Sequence, residues 1–227
     1  MPAMLPKGKS IPIAAGLDQV NPRLKWDAAG DLDLFVVGRD VAGKVVMLAP
    51  CGHPLESQNG GKAPAISGYP IAPDEFGNYP NAYGVAVNPF AAWVLPSADA
   101  RDGAKGGWDE ETTIFLSKVP ADIVRLDLLV AINPQNEDGT PNMLQFAQVE
   151  NVECELADKN GATLVAAKAE FQKDMMWGIQ GVWFASLTRE TSGWKFHNVM
   201  YAEPKEFGYY NDFQDQVYPT IPASNIK

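Results

Sequence analysis

The segment Val124-Arg125-Leu126-Asp127-Leu128-Leu129-Val130-Ala131-Ile132 decides how this chain folds. Every position except Arg125 and Asp127 is apolar, and Leu126, Leu128 and Val130 alternate along it. The run falls well short of the ~20 apolar residues that a membrane-spanning helix needs. It reads as a central β-strand. Pro120 breaks structure before it, and Pro134, Gly139 and Pro141 break structure within the polar turn Asn133 to Asn142 after it.

Outward from this strand the same pattern repeats. Downstream, Phe146 to Leu156 alternates around Glu150, Glu153 and Glu155, as a strand with one wet face should. Asp158-Lys159-Asn160-Gly161 is a hairpin signal, and Thr191-Ser192-Gly193 is a second tight turn. Leu164 to Phe171, Ile179 to Leu187 and Trp194 to Val199 are strand-like. Ala166 to Glu170 has helical propensity but is too short and too closely flanked by strand formers. Upstream, Thr112 to Leu116 and Val85 to Leu95 have strand character. Asp33 to Val37 and Lys44 to Leu48 form a hairpin about Asp40 to Gly43. Val20 to Trp26 alternates weakly, and Pro6 to Leu17 leads in with Ile11 and Ile13 on one face.

Ala49 to Tyr83 is dense in Pro, Gly, Asn and Ser, without sustained period, and reads as a long loop insertion. Many short strands with regular turns and little helix predict an all-β fold, an antiparallel β-sandwich with few short helices. We expect one domain over residues 1–205, with the insertion at 49–83, and an extended C-terminal arm over 206–227. The arm either packs on the domain, docks on a second copy to make a homo-oligomer, or hangs as a loose terminus.

At 227 residues the chain is long enough for one sizeable core. Its 28 acids against 18 bases give a net charge of -10, which disfavours nucleic acid and anionic membrane surfaces as partners. Two cysteines, Cys51 and Cys154, are too few for a disulfide framework. The opening Met-Pro-Ala-Met-Leu-Pro-Lys lacks the apolar core of a signal peptide, so a cytoplasmic location is expected.

Two acidic stretches carry the chemistry. One is Asp99-Ala-Arg-Asp-Gly-Ala-Lys-Gly-Gly-Trp-Asp-Glu-Glu111; the other is Trp26-Asp27 with Asp31-Leu32-Asp33. Asp31 and Asp33 stand two apart at a strand start and share a face. Gly103, Gly106 and Gly107 let the longer stretch wrap tightly. Acids packed this closely repel one another unless a cation intervenes. A hard cation such as Ca²⁺, which takes about 6–8 oxygens in irregular geometry, suits the composition. The plain alternative is a solvated acidic turn. The stretch is not an EF-hand: counted from Asp99, Arg101 and Gly103 take ligand positions and Ala104 replaces the needed glycine. Cys51-Gly52-His53 and His197 lack metal-ligand or nucleophile spacing. Trp177, Trp183 and Trp194 are expected in the core or on a sheet face, with a carbohydrate-stacking platform as the other reading.

Lys7-Gly8-Lys9-Ser10-Ile11, then Trp26-Asp27, then Asp31-Leu32-Asp33-Leu34, resembles the opening of the TerD family, known from bacterial tellurium-resistance and stress operons. The loop Asp99 to Glu110, the turn Lys118-Val119-Pro120 and the strand Gly193-Trp194-Lys195-Phe196 are similar to later family motifs in the same order. The resemblance runs from about Lys7 to Val199 and is poorest over Ala49 to Tyr83. It implies a β-sandwich holding two Ca²⁺ ions, without catalysis. Carried across, the metal ligands are Asp27, Asp31, Asp33, Asp99, Asp109 and Glu110. Ala104, Gly106 and Trp108 depart from the family's acidic pattern, which puts one of the two ion sites in doubt, and Asp102 could supply a replacement oxygen.

Two functions follow. One is a non-catalytic, Ca²⁺-binding stress-response module, a scaffold or interaction domain for a membrane-associated stress complex. The other is a carbohydrate-binding or carbohydrate-active protein on a sandwich fold, which requires two carboxylates facing each other across a cleft.

Overall fold

The computed structural model describes residues 4–27, 30–43, 45–50, 79–80, 86–87, 93–96, 107–132, 140–168 and 181–202. Strands are β1 (Ser10–Pro12), β2 (Gln19–Asp27), β3 (Leu32–Arg39), β4 (Val45–Pro50), β5 (Tyr79–Pro80), β6 (Ala86–Val87) and β7 (Val94–Pro96). They continue with β8 (Glu110–Phe115), β9 (Arg125–Ile132), β10 (Glu150–Asp158), β11 (Thr163–Lys168), β12 (Gly181–Glu190) and β13 (Gly193–Ala202). One sheet runs β1-β13-β12-β9-β3-β4-β6-β5 and the other β11-β10-β2-β8-β7. All pairings between these strands are antiparallel except β4 with β6. The fold is the all-β sandwich expected from the strand pattern.

The opening segment is central, as read. β9 lies between β12 and β3, and its Leu126, Leu128, Val130 and Ile132 point into the space between the sheets. Leu32, Leu34 and Val36 of β3 meet them there, with Phe184 and Phe196 in edge-to-face contact. From the five-stranded sheet come Val20, Leu24 and Trp26 of β2, Ile114 of β8 and Leu156 of β10, all fully buried.

Turn chemistry closes the hairpins. Asp40 holds the β3–β4 turn, its backbone oxygen accepting from the Gly43 N–H and its carboxylate from the Ala42 N–H. Asp158 does the same for β10–β11, accepting from Asn160 and Ala162. These two amides hold the Asp158 carboxyl below the usual carboxylate range.

Three boundaries differ from the sequence expectation. Phe146–Gln148 is a 3₁₀ turn, and the strand begins only at Glu150. Gln145 and Gln148 cap one another across that turn, which supplies the backbone partners a strand would have supplied. Glu110 and Glu111, read as the end of the acidic loop, are the first residues of β8. Within the stretch read as an insertion, Ala49–Pro50 complete β4 and Tyr79–Pro80 pair with β6. Ala166, read ambiguously, stands in β11. The remainder of the insertion and the arm at 206–227 lie outside the described residues. Among the described residues no helix is long and apolar enough to cross a membrane.

Candidate functional site

β2 ends and β3 begins at one end of the sandwich, and their junction is tightly specified. The buried Trp26 indole donates its Nε1 hydrogen to the Gly30 carbonyl at 2.8 Å. A Cβ on Gly30 would stand 2.1 Å from Leu144 Cδ2, so any larger residue there would have to push the end of that side chain aside. This contact delivers Asp31 and then Asp33 at the start of β3. Asp31 is half-buried and Asp33 buried.

β8 brings the second acidic stretch to the same place. Its ladder with β2 reaches Leu24 opposite Glu110 and stops. Asp109 continues it in another form: its N–H donates to the Leu24 carbonyl at 3.0 Å, and its Oδ2 accepts from the Trp26 N–H at 3.1 Å. The ladder of β3 with β4 likewise stops at Phe35 opposite Pro50. One residue beyond, the Leu34 N–H donates to Oε2 of Glu110 at 2.7 Å. Each carboxylate therefore caps an amide where a ladder has run out. Charge-assisted bonds of this kind are about twice as strong as neutral ones. Glu110 reaches across from one sheet to the other, and both carboxylates are buried. Gly107, in a positive-φ conformation (φ 123°), turns the chain just before them.

Asp27 is held by a residue that the pattern did not single out. Asn151 sits in the left-handed region (φ 51°) at an irregularity between β10 and β2. Its amide Nδ2 donates to Asp27 Oδ2 at 2.6 Å. Asparagine tolerates this conformation better than most residues, and an Asn within an acid-studded strand was the only signal available.

Of the seven expected ligands, the structure thus gathers Asp27, Asp31, Asp33, Asp109 and Glu110 at one end, through Trp26, Gly30 and Leu34. Asp99 and Asp102 lie outside the described residues. Among the described residues no three His, Cys, Asp or Glu side chains come close enough together to hold a metal ion by themselves. The donor set consists of carboxylates, which fits a hard cation. One oxygen each of Asp27, Asp109 and Glu110 is already engaged by an N–H group.

The other singled-out residues have different roles. Cys154 is buried without a disulfide, and burial pushes its thiol pKa far up, which suits packing and not nucleophilic chemistry. Trp183 and Trp194 are buried, as expected for core or sheet-face positions. His197 is buried on β13, bonded through Nε2 to Thr188 Oγ1 at 2.7 Å. Cys51, His53 and Trp177 lie outside the described residues.

Comparison with known proteins adds the following. The chain matches the TerD domain family over residues 88–208. No curated protein matches it in sequence. Among solved structures, it resembles a homologue of telluride resistance protein (TerD), SCO6318 from Streptomyces coelicolor A3(2). That likeness has TM-score 0.56 and 19% identity, covering 91% of this chain and 100% of that one. It also resembles SAV2460, a protein of unknown function, with TM-score 0.54 and 17% identity over 86% of this chain and 95% of that one. At these identities both likenesses speak to the fold.

Proposed function

Because the chain belongs to the TerD family, we propose that it works as a non-catalytic, Ca²⁺-binding stress-response module, a scaffold or interaction domain related to tellurium-resistance proteins. One observation carries this reading. Carboxylates some eighty positions apart in sequence are drawn to one end of the sandwich, Asp109 onto the Trp26 amide and Glu110 onto the Leu34 amide. Asp31 just before β3, Asp33 of β3 and Asp27 of β2 would supply oxygens there, with Asp99 and Asp102 of the glycine-rich stretch as further donors. One or two Ca²⁺ ions would offset the repulsion among these acids when bound, and would tie the loop to the strand ends. Asp109 and Glu110 hold the strand ends in register and contribute whatever ligation their second oxygens allow.

Calorimetric Ca²⁺ titration and thermal unfolding, on the unaltered chain and on Asp33→Asn, test the proposal. Ca²⁺ at a hundredfold excess over its dissociation constant should stabilise the unaltered chain by about 2.7 kcal/mol. Asp33→Asn should lose most of that gain, and EGTA should abolish it. A melting temperature indifferent to Ca²⁺ in both proteins refutes the reading.

A further inference from the structure

We propose that the outward face of the eight-stranded sheet binds a compact oxyanion of the phosphate class, held by Arg39 and Arg125 with Thr188 and His197 beside them. Residues directly opposed across a sheet share a face, and the registers place two such rows together. Arg39 opposes Arg125, which opposes Thr188, which opposes Lys195. In the adjacent row Val37 opposes Asp127, then Ser186, then His197. Arg39 is 1% exposed and Asp127 is fully buried.

The charges there do not balance. Asp127 is the one carboxylate that either guanidinium meets among the described residues, and both share it. Its Oδ2 accepts from Arg39 Nε and, at 3.1 Å, from Arg125 Nη2. Its Oδ1 accepts from the Ser186 hydroxyl at 2.7 Å and lies 3.0 Å from Arg125 Nε. Arg39 has one further acceptor, the Gly43 carbonyl at 3.1 Å from Nη1. Lys195 is offset by Glu190 at 3.5 Å. Among the described residues, two guanidiniums against one carboxylate leave a positive charge at a buried place, in a protein whose overall charge is -10. Burial lowers the Arg125 pKa; the attraction of Asp127 opposes that shift, and the repulsion of Arg39 adds to it.

A buried ring lies in the adjacent row. His197 is 3% exposed, and its Nδ1 meets no hydrogen-bond partner among the described residues. The bond between Thr188 Oγ1 and Nε2 runs in the direction the ring's tautomer sets, and in the tautomer whose Nε2 accepts from the hydroxyl the proton is on Nδ1. Burial, more than neighbouring Lys195, keeps the ring neutral. Guanidiniums match oxyanions through paired N–H bonds, and the Thr188 hydroxyl and the His197 ring stand on neighbouring strands of the same face. Donors arriving from three strands suit an anion with oxygens in several directions. The half-buried rim of Arg125, Thr188 and Lys195 is the way in.

The test uses the full chain in EGTA, so that the acidic end takes no part. Thermal unfolding is followed against inorganic phosphate, with chloride at matched ionic strength as reference, and affinity is measured by calorimetry. The unaltered protein should show a saturable rise in melting temperature with phosphate and none with chloride. Arg125→Gln removes the surplus charge and leaves Arg39 paired with Asp127. It should melt no lower than the unaltered protein in chloride and lose the phosphate response. Thr188→Val, at the rim, should weaken phosphate binding several-fold with little change in chloride. Absence of a phosphate response in the unaltered chain, or an equal response in all three proteins, overturns the proposal.

Discussion

Two arginines, Arg23 and Arg39, stand on the outward faces of the two sheets and are treated in opposite ways. Arg23 on β2 lies amid a polar lattice: it pairs with Glu111 and Glu155, and donates to the Gly161 carbonyl at 3.3 Å. Asn21 and Thr163 donate to the same two carboxylates. Glu111 keeps 34% of its side-chain surface exposed, against 13% for Arg23 and 8% for Glu155, so water screens the group from the Glu111 side. Arg39 on β3 has Asp127 and almost no surface. Around it Phe35, Val37, Leu129, Ala131 and Trp183 are each at most 1% exposed, although they point away from the core between the sheets. The five-stranded sheet is therefore dry on one face and partly wet on the other around Arg23, while the centre of the eight-stranded sheet, where β3, β9 and β12 meet, is buried on both faces. The same residue type is a partly screened contact with two carboxylates in the first setting and a demanding one in the second, because the cost of an unpaired charge rises as the dielectric falls.

That contrast can be broken most forcefully at Asp127. Asp127→Ala leaves Arg39 and Arg125 facing each other without a counter-charge, and should destabilise by roughly 3–5 kcal/mol in urea unfolding. The loss should persist in 1 M salt. A loss below about 1 kcal/mol would mean that water reaches the face. Ser186→Ala comes next. It strips one acceptor from the Trp183 indole and one donor from Asp127, an expected loss of about 1–3 kcal/mol.

His197 adds a pH dependence to the dry face. Its pKa is lowered from 6.5 to about 4 by burial first and Lys195 second. The folded state therefore binds fewer protons than the unfolded state between those values. Stability should be fully present above pH 6.5 and decline as pH falls toward 4. His197→Gln should flatten that part of the profile, and an unchanged slope would place the sensitivity elsewhere. The smallest effect belongs to the five-stranded sheet: Arg23→Ala leaves Glu111 to water and Glu155 with the Thr163 hydroxyl, and should cost about 1–2 kcal/mol, less in high salt.

The sandwich was legible because burial imposes a period. Val124 to Ile132 announced its central place by composition, and turns such as Asp158 to Gly161 announced theirs by residues that suit them. Legibility failed at strand ends. Phe146–Gln148 has the apolar content of a strand, but the mutual capping of Gln145 and Gln148 wins locally. Glu110 looked like loop because its acidity matched the preceding residues, whereas its partner is an amide seventy-six positions away. Arg125 and Asp127 were visible as exceptions in an apolar run. Nothing local could say that a second arginine shares the same carboxylate.

By itself, then, the amino-acid order determined the all-β character of the chain and the identity of the acids at one end, since alternation and turn preference are properties of neighbours. Only the tertiary structure decided which carboxylate serves which group. That depends on where each ladder stops and which amides are left over, and on how deeply each charge is buried. Backbone amides taken from water must find an acceptor. The nearest acceptor is set by the meeting of distant strands.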